Sequence, residues 1–430
     1  MTETLLDRLL RGAWIDPDSG VAVAPPIRAI VVAQGVRHRA DALVGALGLG
    51  RRLAVVMDPT TASVLGDAVA RALAGVAEVA PVRLPEHPHA DAGTVARIRA
   101  ATAACDALVA VGSGTINDLC KYAAFLDRKP YLVFATAPSM NGYTSANAAI
   151  TVDGHKKSLA AQVPQGVFVD LDVLAAAPQR MIRAGIGDSL CRPTAQADWL
   201  LSHLLLDTPY RAAPFAMLAE DEPALLDRPE AAVAGDVAAV GSLARTLVLS
   251  GLGMTHCGGS YPASQGEHLI SHFIESLAPA DAPPAFHGEQ VAVATMTMAR
   301  LQQAVLAGPA PVLAPTAMTE AELARRIGPE AAKGWWADFA PKMLDRAAAD
   351  RLNARLQNRW GAIGAALRAV AVSPDRLARA LDKAGVPRTP AAIGIDQAFY
   401  RKAVTTARFQ RNRYTFLDLA DDSGRLAEIA

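Results

Sequence analysis

Three of the nine histidines in this chain of 430 residues fall between positions 268 and 287. His268 and His272 stand one helical turn apart in Gly266-Glu-His-Leu-Ile-Ser-His-Phe-Ile-Glu275, and Glu275 follows on the next turn. Placed on a helix, Leu269, Ile270, Phe273, Ile274 and Leu277 form one apolar stripe. His268, Ser271, His272 and Glu275 share the opposite face. Two imidazoles and a carboxylate so spaced can share one ion or one substrate. The competing reading is a solvated polar face carrying ordinary surface histidines. Phe286-His287-Gly288-Glu289 opens another apolar helix, which puts a third imidazole at a helix start. The metalloprotease signature H-E-x-x-H is not met, because Leu269 stands where its general-base Glu belongs.

A second chemistry lies earlier in the chain. The apolar run Ala107–Val111 leads into Gly112-Ser113-Gly114-Thr115, after which Ile116-Asn117-Asp118 begins a helix. A Gly-rich turn of this kind lets backbone N–H groups and a helix N-terminus meet a pyrophosphate; a plain tight turn is the alternative. It is neither the G-x-G-x-x-G fingerprint nor a Walker loop, since Lys121 lies too far into the helix. Asp58 ends the run Leu53–Met57, where a carboxylate can accept from an adenosine ribose hydroxyl or simply cap the next helix. The stretch Thr136-Ala-Pro-Ser139-Met-Asn141-Gly-Tyr-Thr-Ser145 is dense in hydroxyls and follows another strand-like run, the position where open α/β sheets bind ligands. Gly185-Ile-Gly187-Asp188 reads as leading into a helix, with Asp188 either its N-cap or a hard ligand for a divalent ion.

These residues need a scaffold, and the pattern supplies two kinds. After a short amphipathic helix (Leu5, Leu6, Leu9, Leu10), β-branched runs at 29–32, 53–57, 107–111, 131–134 and 167–169 alternate with alanine-rich helical stretches. This predicts βαβ units around a parallel sheet. Beyond Asp172 the strand signal fades into Ala/Leu-rich helical segments, so an α/β domain over 1–175 and an all-α domain over 176–430 are expected. The Pro-rich stretch 307–315 reads as a loop between helices. Lys plus Arg equals Asp plus Glu at 42 each, with no basic cluster, which argues against a nucleic-acid partner. The apolar stretch 232–254 is broken by Asp236 and Arg245 and is not read as a membrane span. Four dispersed cysteines without a C-x-x-C pair suit a reducing compartment, so a cytoplasmic location is expected.

Taken together, Gly112-Ser-Gly-Thr-Ile-Asn-Asp118 with Lys121-Tyr122, Thr136-Ala-Pro-Ser-Met140, Gly187-Asp188, Pro262-Ala-Ser264 with Glu267-His268, His287-Gly-Glu-Gln290 and Arg411-Asn-Arg-Tyr-Thr415 resemble the glycerol-1-phosphate dehydrogenase family. That family belongs with glycerol dehydrogenases, iron-containing alcohol dehydrogenases and dehydroquinate synthases. The resemblance implies a dehydroquinate synthase-like fold, with a nucleotide-binding α/β domain and a helical metal-binding and substrate domain. It implies NAD or NADP contacts at Asp58, Gly112, Ser113, Gly114, Thr115, Asp118, Thr136, Ser139 and Ser145. It implies one divalent metal on Asp188, His268 and His287, zinc being expected and nickel or iron the alternatives. His272 would relay a proton beside the metal, and Asn141 would face the substrate hydroxyls. The activity implied is interconversion of a small polyol phosphate and its keto form by a homo-oligomer acting on a small phosphorylated molecule. The rivals are a dehydroquinate-synthase-type lyase or cyclase using NAD transiently, and a non-catalytic nucleotide-binding relative. Two positions depart from the family pattern: Asn141 where Asp is common, and Tyr261 where an Arg commonly precedes Pro-Ala-Ser.

Overall fold

The computed structural model describes residues 3–152, 155–279 and 281–429. Two compact units emerge, and they do not follow a single cut in the chain. Unit one joins Met1–Ser189 to Ala212–Ser260; unit two joins Leu190–Arg211 to Tyr261–Ala430.

Unit one is built on a six-stranded, all-parallel sheet. Its order is Ala29–Ala33, Gly166–Asp170, Tyr131–Ala135, Ala107–Gly112, Arg52–Met57, Glu78–Arg83. Each of the five β-branched runs is a strand. The three central strands at 107–112, 131–135 and 166–170 are buried along their whole length, as helices covering both faces of a parallel sheet require. The sequence pattern missed the edge strand Glu78–Arg83. It holds Pro81 opposite Val55 and leaves several side chains in water, so it lacks an apolar run, and an edge is where a sheet tolerates proline. An antiparallel pair, Asn147–Val152 with His155–Ala160, was also missed.

The strand order carries a functional consequence. After Arg52–Met57 the chain moves outward to Glu78–Arg83; after Ala107–Gly112 it moves the other way, to Tyr131–Ala135. The carboxyl ends of two neighbouring strands therefore diverge at Asp58 and Ser113, the switch point where open α/β sheets form a ligand crevice. The helix Val237–His256 is long and apolar enough to cross a bilayer, but most of it is buried inside this unit.

Unit two is helical throughout its described residues. The histidine helix Gly266–Leu277 turns Leu269, Ile270, Phe273 and Ile274 into a core shared with Arg192–Leu206, His287–Ala307 and Arg346–Val370. Each such side chain contributes about 1.5–3 kcal/mol on burial. One buried carboxylate ties three segments together: Asp198 accepts from the backbone N–H groups of Gly266 (3.0 Å) and Phe416 (2.9 Å) and from the Gln302 amide (3.2 Å). Residues 308–319 form no helix or strand, and Leu313 N–H there donates to Asn353 Oδ1 at 2.7 Å.

Candidate functional site

In unit one, the helix Gly114–Leu126 starts immediately after the glycine turn. Ser113 at its N-cap is extended and makes no side-chain capping bond, which leaves the first-turn N–H groups to meet an anion. Gly112 is required there: a Cβ would lie 2.6 Å from Cβ of Ile116, so only glycine lets the strand run this close to the helix. Across the switch point, Asp58 is the N-cap of Pro59–Thr61, accepting from Thr61 N–H at 2.7 Å while Thr61 Oγ accepts from Asp58 N–H at 3.0 Å. The capping role anticipated for Asp58 is thus filled through Oδ1.

The hydroxyl-rich loop is held from beneath by Lys121, which is fully buried. Its ammonium donates to the carbonyls of Gly142 (2.7 Å) and Asn147 (2.9 Å) and to Ser145 Oγ (3.3 Å). Asp118 accepts from Asn117 Nδ2 (2.9 Å) and from Ala149 N–H (3.0 Å), anchoring the antiparallel pair. Asp118 and Ser145 therefore spend their oxygens inside the protein. Thr136 is buried and Ser139 half-buried on the same loop.

Asp188 differs from its expected setting. Gly185, Gly187 and Asp188 lie in the last turns of the helix Gln179–Ser189, and the N-cap of the following helix is Cys191. Gly185 marks close packing and not a helix start: a Cβ there would fall 1.7 Å from the Pro138 carbonyl oxygen. Gly251 does the same from another helix, where a Cβ would meet Thr144 Oγ1 at 2.2 Å. Clamped this way, the loop aims Asn141 N–H at Asp188 Oδ2, 2.9 Å away. The Asn141 side chain makes no hydrogen bond among the described residues and is half-buried.

In unit two the three imidazoles come together. Ring centroids of His268 and His287 are 5.2 Å apart, and His272 lies 5.9 Å from each. The face opposite the apolar stripe is not solvated: His268 is 5% exposed and Ser271 is fully buried, donating to Gln290 Oε1. His268 Nδ1–H donates to Glu267 Oε1 at 2.8 Å, and His287 Nδ1–H donates to Glu275 Oε1 at 3.0 Å. With a carboxylate on Nδ1, each ring turns Nε2 into the acceptor that a cation needs. His272 has the opposite arrangement. Arg411 Nη2–H donates to its Nδ1 at 3.1 Å, so the ring carries its proton on Nε2. Burial first, then the Arg411 charge, holds His272 well below the usual imidazole range and keeps it neutral.

Glu267, Ser264, Arg411 and Arg413 were not singled out as site residues from the sequence, although all four stand in the motifs quoted above. Glu267 is fully buried and also accepts from Gln265 N–H at 2.8 Å. Arg411 Nη1 reaches Ser264 Oγ (3.5 Å), Arg413 Nη1 donates to the Ser264 carbonyl, and the Arg413 guanidinium lies 4.7 Å over the Tyr261 ring. Tyr261 also stacks on Trp199, 5.9 Å away. The cation absent at position 261 is therefore present beside it, brought by Arg413.

The fold is that of the glycerol and iron-containing alcohol dehydrogenases. A probable glycerol dehydrogenase from Sinorhizobium meliloti superposes with a TM-score of 0.61 at 19% identity, covering 94% of this chain and 97% of that one. Residues 31–178 match the iron-containing alcohol dehydrogenase family. A glycerol-1-phosphate dehydrogenase (NAD(P)+) from Geobacillus thermodenitrificans is 31% identical over 314 residues, spanning 73% of this chain and 70% of the relative. The Bacillus subtilis enzyme of the same name is 40% identical over 194 residues, which is 45% of this chain and 49% of that protein. The chain belongs to the glycerol-1-phosphate dehydrogenase family, and it is an oxidoreductase.

Proposed function

We propose that this chain is a metal-dependent, NAD(P)-linked dehydrogenase that interconverts a small polyol phosphate, of the glycerol-1-phosphate type, with its keto form. The observation that carries the reading is the imidazole cluster, in which a glutamate holds Nδ1 of both His268 and His287 and so makes each Nε2 an acceptor. In this reading residues 1–175 hold the dinucleotide, and residues 176–430 supply Asp188, His268 and His287 to one divalent ion. The donor set fits such an ion: two imidazoles oriented by glutamates plus a carboxylate that is 1% exposed at the C-terminal end of a helix, where the dipole disfavours negative charge and a cation relieves it. Zinc is the expected metal, with nickel and iron suited to the same donors.

When bound, the ion supplies Lewis acidity to the reacting oxygen and the nicotinamide accepts or returns hydride. The protein does the rest. Glu267 and Glu275 fix the two ligand rings. His272, neutral with its proton on Nε2, would exchange a proton during turnover, a role its bond from Arg411 supports. The glycine turn 112–115 receives the pyrophosphate at a helix N-terminus, and Asp58 at the neighbouring strand end favours NAD by repelling a 2′-phosphate. Asn141 faces the substrate. A homo-oligomer in the cytoplasm completes the reading; four cysteines, none in a disulfide among the described residues, agree with a reducing compartment.

The test is a dehydrogenase screen of polyol phosphates and unphosphorylated polyols with both nicotinamide cofactors. Net NAD(P)H production from a polyol phosphate is the expected result. Turnover without net reduced cofactor would indicate the lyase or cyclase chemistry instead.

A further inference from the structure

The imidazole cluster has a cationic neighbour that redox chemistry does not use. Arg411 and Arg413 lie two residues apart on the segment between the short helices Ala407–Gln410 and Phe416–Asp422. Among the described residues no carboxylate lies within ion-pair distance of Arg411; its partners are His272 Nδ1 and, at longer range, Ser264 Oγ. A guanidinium has five N–H donors, so most of those on Arg411 remain uncommitted. Burial pulls both guanidinium groups below the usual arginine range, Arg413 to about 9, and the Arg411 charge adds to the effect on Arg413. Acidic neighbours, Asp338 and Glu275 for Arg411 and Glu267 for Arg413, offset only part of this effect.

The segment is also rigid. Arg408 behind it is fully buried and binds Asp418 (3.0 Å), Asp421 (2.5 Å) and Asp422 (2.9 Å). Lys342 Nζ donates to the carbonyls of Arg408 and Arg413, both at 2.7 Å, bracketing the two arginines. Gln410 Nε2 donates to the Leu269 carbonyl at 2.6 Å, which fixes the segment to the histidine helix. These bonds hold a planar, multidentate cation in place before any ligand arrives, as oxyanion recognition prefers.

We propose that Arg411 and Arg413 form the subsite for the phosphate group of the substrate, one side chain beyond the imidazoles that flank the reacting carbon. This deepens the polyol phosphate reading and rests on it. The chemical class recognised is a phosphate monoester dianion. Arg411 also touches His272, so an occupied subsite is linked directly to the proton-carrying ring.

Inorganic phosphate is the probe. Calorimetric titration of the metal-loaded native protein should show saturable binding. Binding should weaken about tenfold or more in Arg411→Gln and Arg413→Gln, because a charge-assisted, multidentate contact is lost, and Arg413→Lys should recover part of it. Metal content measured on the same samples should stay at the native level. In the native protein, phenylglyoxal labelling of Arg411 and Arg413, mapped by mass spectrometry, should slow when phosphate is present; this readout does not depend on a variant folding. Phosphate affinity unchanged in both Gln variants, or lost only in His268→Ala, would place the anion on the metal or the glycine turn and overturn the proposal. Absence of phosphate binding in the native protein, or unprotected arginines, would overturn it too. A negative result here leaves the dehydrogenase screen to stand or fall separately.

Discussion

At the scale of single residues, the chemistry depends on which imidazole nitrogen carries the proton, and buried carboxylates decide that. Replacing Glu267 with Gln keeps the shape but weakens the hold on His268 Nδ1; metal affinity should fall about 10–100-fold, read by competition with a chelating dye. Unchanged affinity would reduce Glu267 to a packing role. Asn141 presents an amide, which can donate to a carbonyl or phosphate oxygen as well as accept. Asn141→Asp should raise kcat/KM for glycerol-1-phosphate by about one to two decades, equivalent to roughly 1–3 kcal/mol; native activity that the change leaves untouched would make Asn141 a neutral turn residue. His268, His272 and His287 were legible from spacing because three imidazoles in so short a span are rare for this chain. Their tautomers were not legible. Those depend on Glu267, Glu275 and Arg411, and Arg411 lies 139 positions from the ring it binds.

At the scale of elements, periodicity was informative where a face is buried and failed where it is not. The five apolar runs became strands, but Glu78–Arg83 is an edge with Pro81 in it and gave no signal. Gly185 misled for a different reason: glycine marks both helix ends and tight helix packing, and only the 1.7 Å approach to Pro138 separates the two cases. Asp198 shows how elements are held in register. It accepts N–H bonds from the first turns of both the histidine helix and Phe416–Asp422. Asp198→Ala leaves those donors buried and unsatisfied, and should lower unfolding free energy by about 3 kcal/mol, measured by urea denaturation of the metal-free protein. A loss below about 1 kcal/mol would show that water or rearrangement replaces the carboxylate. Asp58 is an N-cap at the strand end where the proposed function puts the cofactor ribose. kcat/KM should favour NAD over NADP in the native protein and shift toward NADP in Asp58→Ala. A native preference for NADP would contradict the assignment.

At the scale of the whole molecule, the α/β and helical halves were readable from the change in pattern after Asp172. The return of residues 212–260 to the unit of the sheet was not, because those helices are as rich in alanine and leucine as the ones in unit two. Family membership brings the activity class, and the carboxylate-braced histidines bring the chemistry that class requires. The central claim is that one ion on Asp188, His268 and His287 is needed for NAD(P)-linked turnover of a polyol phosphate. Its most direct test is metal analysis and turnover measured side by side on the native protein and His268→Ala. The account predicts about one divalent ion per chain in the native protein, loss of turnover when a chelator strips it, and neither metal nor turnover in the variant. Full metal occupancy in His268→Ala, or native turnover that survives removal of the metal, would contradict it.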